Sequence, residues 1–148
     1  MLNLSTRFGR SVNAPFAPVD GVVLEAPPGD GAGYWAGAPG AFSDGDTLYL
    51  VYRVRRPRPR RGGELRIARS DGDRFETIWT AKREDFGSQS IERCAILRSG
   101  RTWRLYVSYV DGIDDRWRID VIEAGTPDSF ETGARRLALD ADMAKASP

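Results

Sequence analysis

The chain has 148 residues, 22 Lys+Arg against 21 Asp+Glu, and no histidine. This length is close to the commonest domain size, and 41% hydrophobic with 29% charged residues is the balance of a folded globular protein rather than a disordered one. Without histidine there is no Ser-His-Asp or Cys-His site, no imidazole acid or base, and no His-ligated metal. The lone Cys94 excludes an internal disulfide and a zinc cluster. No metal or cofactor is expected. No apolar run approaches a membrane span, and Met1–Arg10 lacks the apolar core of a signal peptide, so no membrane partner and a cytoplasmic, reducing location are expected. A net charge of +1 gives no general field for nucleic acid, which is not expected as a partner.

Residues 1–33 read as a loop-rich leader. Pro15, Pro18, Pro27 and Pro28 alternate with Gly21, Gly29, Gly31 and Gly33, which break helix and sheet alike. Within the leader only Val22-Val23-Leu24 looks like a short strand. From Tyr34 the pattern changes to short apolar strands separated by turns. Ser43-Asp-Gly-Asp46 is a hairpin signal leading into Thr47–Arg53. In that strand Leu48, Leu50 and Tyr52 share one face and Tyr49 and Val51 the other, so both faces should be covered. Leu65–Ser70 is a further strand, followed by the Ser70-Asp-Gly-Asp73 turn and Phe75–Trp79. Arg93–Leu97, a turn at Ser99-Gly100, and Trp103–Tyr109 come next, then a loop at Asp111–Asp115 and the strand Trp117–Glu123. Arg136–Leu139 is a candidate closing strand, and Asp140–Ala146 a helical turn or a disordered end.

The order of these strands repeats. Leu48–Tyr52 matches Leu105–Tyr109 at a spacing of 57, Arg66-Ile-Ala matches Arg118-Ile-Asp at 52, and Phe75 matches Phe130 at 55. A period near 50 residues, built from four short antiparallel strands, is the mark of a β-propeller blade. The fold class is therefore all-β, with blade one over about 34–80 and blade two over about 91–139. An eight-stranded β-sandwich is the alternative.

Tyr34–Gly40 with the following Asp-Gly and Leu-Tyr-Leu-Val-Tyr-Arg53, then Ile67–Gly72 and Phe75, resemble a blade opening of the five-bladed β-propeller glycosidases, the superfamily around glycoside hydrolase families 43, 62, 32 and 130. The resemblance covers about residues 34–132. Ser70–Phe75 also faintly resembles the structural Asp-box turn of sialidase-type propellers. Two departures accompany it. About two of five expected blades are present, so the chain reads as the start of a larger protein, a truncated product, or a unit that pairs with copies of itself. And where these hydrolases carry an Asp-Pro on an inner strand, this chain has Ala38-Pro39.

Sugar hydrolysis needs two carboxylates flanking the glycosidic bond. Blade starts line the axial funnel, and Glu92 is the acidic residue at such a start, aligned with Gly37 of the first unit. Glu92 is the candidate catalytic residue, with Arg93 beside it to hold its charge and contact substrate. The resemblance to phosphorylase-like members is partial, an acidic residue followed by Arg without the proline. Trp35, just before the first inner strand, is a candidate stacking platform for a sugar or else a packing contact between leader and first blade, and Arg53 at a strand end is half of a surface salt bridge or else a contact for a carboxylate, phosphate or hydroxyl. Glu92 also has the simpler reading of a structural ion pair at a blade seam. Arg53–Arg61 holds six arginines without interleaved aromatics and reads as a solvated loop between two strands of one blade. Asp111, Asp114 and Asp115 do not meet calcium-loop spacing, and Cys94 reads as a small buried hydrophobe.

The resemblance implies a carbohydrate-active protein, glycoside hydrolase-like or phosphorylase-like, inactive by itself because it offers one candidate carboxylate. The alternative is a non-catalytic carbohydrate-binding or interaction module. A carbohydrate is the expected ligand. Self-association through an uncovered face of the second blade is the expected mode of assembly.

Overall fold

The computed structural model describes residues 21–60 and 62–145. Eight strands form two four-stranded antiparallel sheets, each in simple meander order. The first holds β1 (Trp35–Asp44), β2 (Thr47–Arg55), β3 (Glu64–Asp71) and β4 (Arg74–Lys82). The second holds β5 (Ile91–Ser99), β6 (Thr102–Val110), β7 (Trp117–Ala124) and β8 (Arg136–Asp140). A 3-10 turn at Arg83–Phe86 joins the sheets, another at Thr132–Ala134 precedes β8, and a single helical turn, α1 (Ala141–Lys145), follows it. Asp140 Oδ1 accepts from the amides of Asp142 and Met143, which caps that turn. Val22–Leu24 forms no strand, and Val22 and Val23 are well exposed.

Three of the tight hairpins use the same chemistry. Gly45, Gly72 and Gly100 each open a two-residue turn with φ near +60°, a conformation that suits the twist of the flanking strands and that only glycine adopts freely. The inner strands β1 and β5 lie side by side, and each carries a bulge, between Gly37 and Gly40 and between Ile91 and Cys94. The extra residue bends each inner strand at the same end of the molecule.

The two sheets are copies with a definite register. Ala36 faces Val54 as Ile91 faces Tyr109, an offset of 55. Leu50 faces Ala68 as Leu105 faces Ile122, so β3 and β7 are offset by 54. The spacings of 57 and 52 read from the sequence each miss this register by two residues. A slip of two keeps every side chain on its face. Phe130 is not the counterpart of Phe75, because it lies in the connection before β8 rather than in the fourth strand.

The sheets pack face to face over one continuous core. Val51, Leu65 and Ile67 from the first meet Ile96, Leu105, Val107 and Ile122 from the second. Trp103 stands edge-on to Tyr49 at 4.7 Å and to Phe42 at 5.7 Å, filling the seam. The opposite face of β2 buries Tyr52 and Val54 in a smaller cluster with Ala68, against which Leu50 and Phe75 pack. Thus β2 is covered on both faces. Burial raises the Tyr52 hydroxyl's pKa, and its bond with Thr77 opposes the rise.

The connection from Gly125 to Arg135 closes back on the first sheet. Phe130 sits edge-on to Trp79 at 5.9 Å, and the Trp79 indole N–H donates to the Phe130 carbonyl at 2.9 Å. Beneath it lies a buried polar network. Asp120, 1% exposed, accepts from the Tyr109 hydroxyl at 2.7 Å and from Arg118 Nε at 3.0 Å, with Arg135 at 3.5 Å. Arg118 also reaches Asp111. Burial first, then its bond to Asp120, raises the Tyr109 pKa. A buried carboxylate with three such partners is a lock between strands and connection.

Candidate functional site

The starts of β1 and β5 and the end of β2 converge at one end of the seam. Alternation along β2 places Arg53 on the face shared by Tyr49 and Val51, the face turned to the second sheet. Arg53 is 7% exposed and is no surface residue. Its Nη1 donates to the Ile91 carbonyl at 3.2 Å and forms an ion pair with Glu92 Oε2. Its Nε is buried with no hydrogen-bond partner among the described residues. The Trp35 ring lies over the guanidinium, 5.1 Å from centroid to Cζ. This cation–π contact fixes a half-exposed indole beside the carboxylate. Gly37 makes that possible, since a Cβ there would sit 2.6 Å from the Trp35 ring.

Glu92 has its side chain about one-third exposed. Its Oε1 accepts from the Ser90 hydroxyl at 3.3 Å. It opens on a cleft of about 690 Å3 lined by Arg58, Arg83, Ser88, Gln89 and Ser90 among others. Three of the four candidate residues, Trp35, Arg53 and Glu92, are thus one stack. Arg93 is not part of it. It is exposed on β5, without a hydrogen bond or ion pair among the described residues, and the partner of Glu92 is Arg53 on the other sheet. Within the bulge of β5, Glu92 turns to Arg53 while Arg93 stays in solvent.

Ala38 and Pro39 lie within the bulge of β1, at the level where Glu92 and Arg93 lie within that of β5. Ala38 adopts φ 51°, an uncommon conformation for a residue with a Cβ. The other carboxylate on the cleft is Glu84, held by Arg83 at 2.9 Å, which lowers the Glu84 pKa.

Two groups escaped the sequence reading. Ser88 donates to the Val110 and Ser90 carbonyls and shapes the cleft floor. Arg83 donates from Nη1 to the Pro59 carbonyl at 3.1 Å and to the Gln89 carbonyl at 3.2 Å, tying the cleft's two walls together. Their signal was positional: both lie in the short link immediately before an inner strand, where a blade presents its funnel end. Of the aspartates weighed for calcium, Asp111 pairs with Arg118, Asp114 accepts from the Arg116 amide, and Asp115 from Gln89. No group of residues suited to hold a metal ion occurs among the described residues. Cys94 is buried, and burial pushes its thiol pKa well up, away from nucleophilic use.

Two antiparallel four-stranded sheets stacked face to face, with their inner strands adjacent and bulged at one end, define a pair of β-propeller blades. Comparison of the fold with solved structures agrees. The RS223 β-xylosidase matches with a TM-score of 0.55 at 15% identity, over 66% of this chain and 35% of that one. A GH43_1 enzyme from Xanthomonas citri matches at 0.53 and 15% identity, over 62% and 30%. CoXyl43, a GH43 β-xylosidase/α-arabinofuranosidase from a compost microbial metagenome, solved with xylotriose in a calcium-free form, matches at 0.53 and 14% identity, over 63% and 32%. The chain therefore spans about a third of the length of these neighbours, and at such identity the likeness is one of fold. No protein-family description and no curated protein matches the sequence.

Proposed function

We propose that the chain carries one wall of a carbohydrate site of the propeller-glycosidase type, which binds sugar but does not cleave it alone. Trp35 is the stacking platform, Glu92 the polar contact on the sugar, and Arg53 the group that orients both. The observation that carries this reading is the shared guanidinium: a half-exposed indole and a partly exposed carboxylate both contact buried Arg53, and the carboxylate opens on a cleft. Sugar recognition uses this pairing of an apolar platform with a fixed polar group. Two of the fold neighbours support the substrate class, one a β-xylosidase and the other a β-xylosidase/α-arabinofuranosidase in complex with xylotriose.

Hydrolysis requires a second carboxylate opposed across the bond. Ala38 occupies the place where the resemblance implies an acid, and Glu84 is engaged by Arg83. This favours a binding wall over a complete hydrolytic centre. Titration of the protein with xylotriose, followed by tryptophan fluorescence, tests the reading, with an aryl xyloside assay alongside. Saturable binding that Trp35→Ala abolishes, with no turnover, is the expected result. Absence of binding overturns the carbohydrate reading, and turnover lost in Glu92→Gln overturns the claim that the chain does not cleave.

A further inference from the structure

The loop between β2 and β3 is not a freely solvated arginine run. Arg60 donates its amide to the Pro57 carbonyl at 3.0 Å, the Gly62 carbonyl receives the Ile91 amide at 3.0 Å, and Arg83 holds the Pro59 carbonyl from outside. The loop is therefore fastened to the start of β5, next to Glu92. Within it the arginines divide by partner. Arg56 donates to Glu64 at 3.1 Å, and Arg66 shares the same carboxylate group, which saturates it. The side chains of Arg58 and Arg60 are exposed and make no hydrogen bond or ion pair among the described residues. Arg58 lines the cleft of Glu92. Arg60 lines a neighbouring cleft of about 610 Å3 with Arg56, Glu64 and Lys82, and the two clefts share Arg83 and Glu84. Together they present five cations against three carboxylates, each of which has an arginine partner.

Unpaired guanidinium groups beside a cleft have donors to spare for carboxylate or sulfate oxygens, which they grip through two donors at once. We propose that this double cleft takes an acidic glycan, a sugar chain bearing carboxylate or sulfate groups, with Arg58 and Arg60 as its anion contacts. The inference rests on the carbohydrate reading of the Trp35–Glu92 site and gives that site a class of ligand. Recognition by a partly open cationic cleft is steered by charge and weakens with salt.

Affinity electrophoresis of the protein tests it, in gels holding polygalacturonate, its methyl-esterified form, dextran sulfate or dextran. The variant R58Q/R60Q alters only partnerless exposed side chains, and circular dichroism checks its fold. Retardation by polygalacturonate or by dextran sulfate, weakened on the order of tenfold in R58Q/R60Q and by 0.5 M salt, supports the proposal. The gel that retards names the acid as carboxylate or sulfate. Equal retardation by the esterified form or by dextran, or retardation unchanged in R58Q/R60Q, overturns it. So does tighter binding of a single-stranded DNA oligomer than of either acidic glycan. If xylotriose binds in the earlier titration while no acidic gel retards, this inference fails and the carbohydrate reading stands.

Discussion

At the scale of single residues, charge is spent locally. Asp111 accepts from the Ile113 amide and pairs with Arg118, and these bonds, the amide first, hold its carboxyl below the ordinary aspartate range. A carboxyl whose pKa is depressed on folding stabilises the fold above its unfolded value, ordinarily about 3.9, and loses that contribution as pH falls through the folded value. Asp111→Asn is therefore expected to be less stable than the parent at pH 7 and to converge with it at the acid end, in urea titrations at a series of pH values. A constant difference at all pH values contradicts this account. Glu84 and Glu123 shift the same way through Arg83 and through Arg104 and Arg136, but at the surface such pairs contribute little.

At the scale of elements, the strands were legible by two routes, side-chain pattern and resemblance. Thr47–Arg53, Leu65–Ser70 and Trp103–Tyr109 announce themselves by alternating β-branched and aromatic residues, and the structure has strands there. β1, expected as an inner strand from the resemblance of Tyr34–Gly40 to a blade opening, carries Gly37, Ala38-Pro39 and Gly40, which form its bulge and its close packing. A Cβ on Gly40 would lie 3.0 Å from the Cys94 carbonyl of the adjacent inner strand. Of the candidate residues, Trp35, Arg53 and Glu92 stand near strand ends in the sequence pattern, and the fold brings them into contact through Arg53. Arg93 was chosen by sequence adjacency, which says nothing of which face a side chain takes. The Asp120 network was invisible because its members come from β6, β7 and the connection before β8. Asp120→Ala strands the buried Tyr109 hydroxyl and leaves Arg135 without its acid. A loss of about 3 kcal/mol or more in unfolding free energy by urea is expected, and a loss below about 1 kcal/mol would show the network to be incidental.

At the scale of the whole molecule, the two faces of the second sheet are unequal. One meets the first sheet. The other carries Tyr106, Ser108, Ile119 and Val121 at the register positions where the first sheet places Val51, Arg53, Leu65 and Ile67, its residues of the seam. Near it Trp117, Leu137 and Leu139 are 48%, 42% and 40% exposed. An apolar face built on the pattern of an interface drives association. The purified chain is expected to sediment as a concentration-dependent oligomer, and Trp117→Ser with Leu139→Ser to shift it toward monomer. A parent chain that stays monomeric at high concentration refutes this.

The clasp of Trp79 on Phe130 has a kinetic consequence. It joins residues 51 apart in sequence and lies in the connection that precedes the last strand. Each four-stranded sheet is a chain of local hairpins that zips quickly, whereas this contact must wait until both are formed. Closing it adds a hydrogen bond and a ring contact to the core that already joins the two sheets. The half-buried indole of Trp79 is therefore a natural reporter of the docking of this connection onto the first sheet.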